Sequence, residues 1–199
     1  SGTVVGKAEF DQFIKTIPQD ILVVLDQAYY EYVETEDSPD GIDYVRDGYN
    51  VILLHTFSKA YALAGLRVGY GLANADLIKA LHQVRGPFNV SSVAQAAAIA
   101  SLGDADQLTR TTELNNAGKK YFYAQLDEMG INYIPTEANF ILLDSELPAK
   151  EVFQELLKHG VIVRTGDPFG LPTWLRVTIG TQAMNERFIT ALRVIRKRA

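Results

Sequence analysis

The sequence predicts an α/β fold, a mainly parallel sheet with helices on both faces, followed by a small C-terminal α+β domain. Three observations carry this. Residues 21–25 and 51–54 are short runs rich in Val, Ile and Leu, the pattern of strands covered on two faces by helices. Helical patterns lie at 7–15 and 75–84, before and after the strand runs. From residue 104 the order changes to a long helix, then strand, helix, strand, strand and helix, so the expected domains are 1–103 and 104–199.

Taken in order, the helix over 7–15 leads to the strands at 21–25 and 51–54, both expected to be fully buried, and to a third strand over 67–73. The helix over 75–84 ends where Arg85-Gly86 meets Pro87. Ser92 with Gln95 fits a capping box opening an alanine-rich helix to Leu102. A stretch over 107–129 places Leu114, Tyr121, Ala124 and Leu126 on one broad stripe. Strands follow at 139–143, 161–164 and 175–179, with helices at 148–159 and 182–198. Pro148 suits a first helical turn and Gly160 a left-handed C-cap. The basic end, Arg193, Arg196, Lys197 and Arg198, complements a helix C-terminus.

Composition removes several functions. With 47% hydrophobic and 22% charged residues the chain can bury a core, so it is neither disordered nor fibrous. A net charge of -5 gives nothing that draws the whole molecule to nucleic acid or an anionic membrane. There is no cysteine, hence no disulfide, thiolate metal site or cysteine nucleophile. His55, His82 and His159 form no metal-ligand pair, so no metal is expected. No apolar run approaches the about 20 residues of a membrane helix. Gly69-Tyr70-Gly71 is half a dinucleotide fingerprint with Asn74 in place of the third glycine, and Asn89-Val90-Ser91 is a sequon without a secretory context.

Two polar clusters end predicted strands, where ligands bind in open parallel sheets. Asp26 and Tyr29 follow the first; HTFSKAYALAGLR at 55–67 follows the second. A loop lysine is ordinarily a solvated charge, and Asp26 alone would be a helix cap or turn former. Lys59, however, lies among Ser58, Ala60, Ala62, Leu63, Ala64 and Gly65, residues that leave room for a ligand and could desolvate the amine. A buried carboxylate with such a lysine suits pyridoxal phosphate, which needs an amine for a Schiff base and an anion that keeps its pyridine nitrogen protonated.

D-x-x-Y at 26–29 followed by T-x-S-K-A-x-x-L-A-G-L-R-x-G-Y at 56–70 resembles the active-site signature of the fold-type I, aspartate-aminotransferase-like enzymes. R-G-P-F-N-V at 85–90, E-A-N-F-I-L at 137–142, G-V-I-V-R at 160–164 and G-L-P-x-x-L-R-V-T-I-G-T at 170–181 resemble the histidinol-phosphate aminotransferases more closely. The resemblance implies pyridoxal 5'-phosphate as cofactor. It makes Lys59 the Schiff-base lysine and the base that moves a proton between substrate Cα and cofactor C4′. Asp26 would pair with the pyridinium and Tyr29 with the ring oxygen, while Thr56, Ser58 and Arg67 would hold the phosphate. Arg164 and Arg176 would bind the substrate phosphate; without the resemblance Arg176 reads as a strand residue facing solvent.

The resemblance further implies a cytoplasmic homodimer that exchanges an amino group between histidinol phosphate and 2-oxoglutarate in histidine biosynthesis. Relatives place the phosphate-cradling loop, a ring-stacking aromatic, an asparagine and an intersubunit tyrosine ahead of the segment matching Ser1-Gly2-Thr3, so this chain is expected to be a C-terminal portion and inactive alone. Ala62 departs from the glycine of many relatives. Threonine-phosphate decarboxylation, aromatic amino acid transamination and an aminotransferase-like regulatory domain are the alternatives.

Overall fold

The computed structural model describes residues 1–197. Its contacts form two compact units, Val4–Arg110, and Thr111 onward joined by Ser1–Thr3.

The first unit begins with α1 (Lys7–Thr16), which buries Phe10 and Ile14, one helical turn apart. β1 (Val23–Asp26) follows, then α2 (Gly41–Arg46), a short helix that the sequence pattern does not reveal. Six residues carry too little periodicity to register, but a local cap fixes the start: Asp40 Oδ1 accepts the Ile42 N–H at 2.9 Å. Tyr44 of α2 packs edge-on against Phe10, 4.9 Å between centroids, and together with Ile14 and Val51 they form the core on this face.

β2 (Val51–Thr56) lies between parallel β1 and antiparallel β3 (Gly69–Leu72), so this three-stranded sheet is mixed. β2 is buried as expected over Val51–Leu53, with Val51 and Leu53 at 0% exposure, and half-buried from Leu54 onward. β1 is not fully buried. Its residues alternate, Val23 and Leu25 packing on the core and Val24 standing 57% exposed, as the two faces of a strand do. The third strand starts two residues late, since Arg67 is in the left-handed region, φ +53°, which no strand residue adopts. α3 (Ala75–Val84) starts at an Asn74 cap and α4 (Ser92–Leu102) at Ser91, whose Oγ accepts the Ala94 N–H at 3.2 Å. The cap is thus Ser91 rather than Ser92, while Gln95 reaches the Val90 carbonyl.

α5 (Ala105–Met129) contains the division between the units. Its buried stripe is Asn115, Gly118, Lys119, Phe122 and Leu126; of the residues expected there only Leu126 is fully buried, and Leu114 is 44% exposed. Close approach rotates the helix. A Cβ at Gly118 would come within 2.3 Å of Ile179 Cγ2, and Asn115 donates to the Ala138 carbonyl at 3.2 Å, so small and polar residues take the inner face.

The second unit continues with β4 (Tyr133–Ile134), β5 (Phe140–Asp144), α6 (Ala149–Lys158), β6 (Arg164–Thr165), β7 (Trp174–Thr178) and α7 (Gln182–Arg196). The sheet order is β4-β5-β7-β6, every pair antiparallel. Leu175 and Val177 of β7 join Ile141, Leu143, Phe122, Leu156 and Leu192 in one core. Pro148 is the N-cap of α6 and Gly160, at φ +70°, lies just past its end. The strand expected over 161–164 contracts to Arg164–Thr165. Arg193 and Arg196 occupy the last turn of α7 and also reach across, Arg193 to Glu128 at 2.7 Å and Arg196 to Glu146. Lys197 is the C-cap; Arg198 lies outside the described residues.

Candidate active site

The parallel pairing of β1 and β2, with Asp26 opposite Leu54, brings the carboxyl ends of both strands to one edge of the first unit. Beyond Asp26 the chain turns sharply. Asp26 Oδ1 accepts the Ala28 N–H at 3.0 Å and the Gln27 N–H bonds to Leu54 O at 2.9 Å, which delivers Tyr29 beside the end of β2.

The segment after β2 is held at two buried points. Phe57, 4% exposed, exchanges backbone bonds with Val68 and Leu63, and Ala60 is fully buried. Ser58 and Lys59 are therefore fixed between anchors and half-buried. Thr56 Oγ1 accepts the Ser58 N–H at 3.1 Å, and Arg67 Nη1 donates to Ala64 O at 2.8 Å. The loop carries two non-glycine residues with left-handed backbone, Ala62 at φ +58° and Arg67 at φ +53°.

Asp26, Thr56, Ser58, Lys59 and Arg67 line one pocket of about 400 Å³ with Ala28, Leu54, His55 and Ala64. Tyr29 is not among the lining residues, but its ring lies under the lysine, 5.2 Å from Lys59 Nζ to the centroid. Asp26 is exposed in this chain rather than buried as expected, on the same face of β1 as Val24. The donors nevertheless suit pyridoxal phosphate, with a carboxylate for a pyridine nitrogen, an amine for an aldehyde, and two hydroxyls and a guanidinium for a phosphate.

His55, which the sequence marks only as a candidate metal ligand, is a further functional residue of the site. It lines the pocket, its Nδ1 lies 3.3 Å from the Tyr70 hydroxyl and its ring packs between Tyr30 and Tyr70. Burial pushes its pKa down, opposed by the charges of Asp40 and Asp26. Its place before T-F-S-K, at the exit of a buried strand, was the available signal.

Arg164 and Arg176 belong to the second unit, directly opposite one another on β6 and β7. Arg176 is half-buried on the face of β7 away from Leu175 and Val177, its guanidinium carbon 4.1 Å from the Phe140 centroid; Arg164 is exposed, 5.2 Å from that of Phe169. Among the described residues no carboxylate forms an ion pair with either.

The family model of aminotransferase class I and II matches residues 1–192. Histidinol-phosphate aminotransferase of Moorella thermoacetica is 54% identical over 98% of this chain and 51% of its own length, so the chain spans about half the length of the curated relatives it matches. Among solved structures, histidinol-phosphate aminotransferase from Sinorhizobium meliloti in complex with pyridoxal-5'-phosphate superposes with a TM-score of 0.89 at 31% identity, over 100% of this chain and 55% of that one. The L-threonine-O-3-phosphate decarboxylase from Porphyromonas gingivalis gives 0.87 at 27% identity, over 99% and 61%. With the lysine and acid at one strand-end pocket and the family model matched over nearly the whole chain, the chain belongs to the aminotransferase class I and II family.

Proposed function

We propose that the protein carrying this chain is a pyridoxal-phosphate-dependent aminotransferase that converts histidinol phosphate and 2-oxoglutarate to imidazole-acetol phosphate and glutamate, working as a homodimer. In it, residues 1–103 would be the C-terminal part of the cofactor domain and 104–199 the small domain. The observation that carries the reading is the shared pocket of Lys59 and Asp26. The 54% identity to the Moorella thermoacetica enzyme supports the substrate.

Thr56, Ser58 and Arg67 would hold the cofactor phosphate, the guanidinium as a planar donor fork and the hydroxyls as single donors. Asp26 would keep a proton on the pyridine nitrogen, a task for which its carboxylate need only face the pocket. When bound, the cofactor supplies an electron-withdrawing ring that takes up negative charge developing at the substrate Cα. Lys59 would hold the cofactor through its amine and, once freed by the substrate, move a proton between substrate Cα and cofactor C4′. Tyr29, whose ring lies 5.2 Å from Lys59 Nζ, would hydrogen-bond the cofactor's ring oxygen. Arg164 and Arg176 would take the substrate phosphate, whose nearly two negative charges suit two guanidinium groups better than one.

Lys59→Ala in the full-length enzyme should abolish the visible absorption of lysine-linked cofactor and cut the rate by at least ~10²-fold, the low end for loss of a general base. An unchanged spectrum would overturn the assignment. The decarboxylase neighbour favours one second reading, since cross-strand arginines accept any phosphorylated amine. Carbon dioxide release from threonine phosphate, with no amino transfer from histidinol phosphate, would select it.

A further inference from the structure

We propose that Phe169 is a specificity-determining residue that positions Arg164, so that the arginine pair reads a doubly charged phosphate in preference to a carboxylate. The inference rests on the anion-binding reading of Arg164 and Arg176 given above.

Two arginines directly opposite on an antiparallel ladder repel one another, and neither has a carboxylate partner among the described residues. What holds each is an aromatic ring. Arg176 rests on Phe140, a buried residue (6% exposed) on the same face of the sheet, so its place is set by a fixed ring. Arg164 is exposed and, left to itself, would swing away from its neighbour into water. Phe169 lies 5.2 Å from its guanidinium carbon. Although 57% exposed, Phe169 is carried on a rigid turn. The Gly166 N–H donates to Trp174 O at 2.7 Å, the Phe169 and Leu171 N–H groups both return to Gly166 O, and Gly170 closes the turn at φ +74°. Gly166 has no room for a side chain, its Cβ position lying 2.4 Å from Leu171 O and 3.0 Å from Trp174 O of β7.

A half-exposed phenylalanine on so constrained a turn contributes little to the core. It offers a face to the guanidinium and leaves the N–H edge free. A carboxylate needs one fork, which Arg176 supplies. A phosphate dianion engages a second, and only if Arg164 is held against repulsion from Arg176. Removing the ring should therefore weaken phosphate and spare carboxylate.

The test uses the full-length protein that carries this chain. Inorganic phosphate and, separately, acetate are titrated at neutral pH and constant ionic strength, read at the Arg164 and Arg176 Nε–H resonances. In Phe169→Leu, phosphate affinity should fall about 2- to 5-fold, the effect of one cation–π contact at an exposed site, with acetate affinity unchanged. Phe169→Tyr, which restores the aromatic face, should recover wild-type selectivity. Equal losses for both ions, or unchanged phosphate affinity in Phe169→Leu, would overturn the role of Phe169 and leave the anion site standing. If neither arginine of the wild-type chain responds to phosphate, the anion-site reading falls and this inference with it.

Discussion

Ala62 occupies the left-handed region at φ +58°, three residues past Lys59, with its N–H bonded to Lys59 O at 2.9 Å. A side chain there costs roughly 1–2 kcal/mol, while glycine's greater freedom in the unfolded chain costs roughly 0.5–1 kcal/mol. Ala62→Gly is expected to stabilise the protein by about 0.5–1 kcal/mol, seen as a higher urea midpoint at unchanged slope; a lower midpoint would mean the loop is not strained at this position. The departure at Ala62 is legible in the sequence, the strain only in the backbone. Lys59 and Asp26 were likewise legible as chemistry, for amine and acid follow predicted strands.

At the scale of elements, α4 shows what local rules leave undecided. Ser91 and Ser92 both satisfy the requirement for a capping hydroxyl, and a polar residue stands three positions beyond Ser92. Packing selects between them. Ala94 and Ala98 must face Phe57 and Val68, which sets the phase of the helix and makes Ser91 the residue whose hydroxyl meets a free N–H, that of Ala94. Ser91→Ala should cost about 1 kcal/mol and Ser92→Ala a few tenths at most, measured by chemical denaturation. A reversed order would restore the capping box at Ser92. The same argument covers α5, where polar Asn115 and Lys119 occupy the buried stripe that an apolar pattern assigns to Leu114, and α2, which is too short to show a pattern and is built by the Asp40 cap and Tyr44 packing.

Over the whole molecule, stability follows the protons bound by the folded and unfolded chains. Burial pushes His55 below its ordinary value of 6.5, so as pH falls through 6.5 the unfolded chain takes up a proton before the folded one does. Stability is then lost as pH falls from 6.5 through the lower folded value. Glu31, pushed up from 4.5 by burial, acts with the opposite sign, losing stability as pH rises past 4.5. The denaturation midpoint of the wild type should therefore drop more between pH 7 and pH 5.5 than that of His55→Gln, the other groups being common to both; parallel curves would remove His55 as the cause. Composition, strand-end chemistry and the arginine-bearing motifs were determined by the sequence itself, because residue types and spacings are local properties of the chain. Tertiary structure alone decided that His55 joins the pocket, and that Arg164 and Arg176 stand opposite one another with an aromatic ring beside each. Those facts depend on strand register and on which surfaces meet, and such contacts between residues far apart in the chain leave no periodic trace in it.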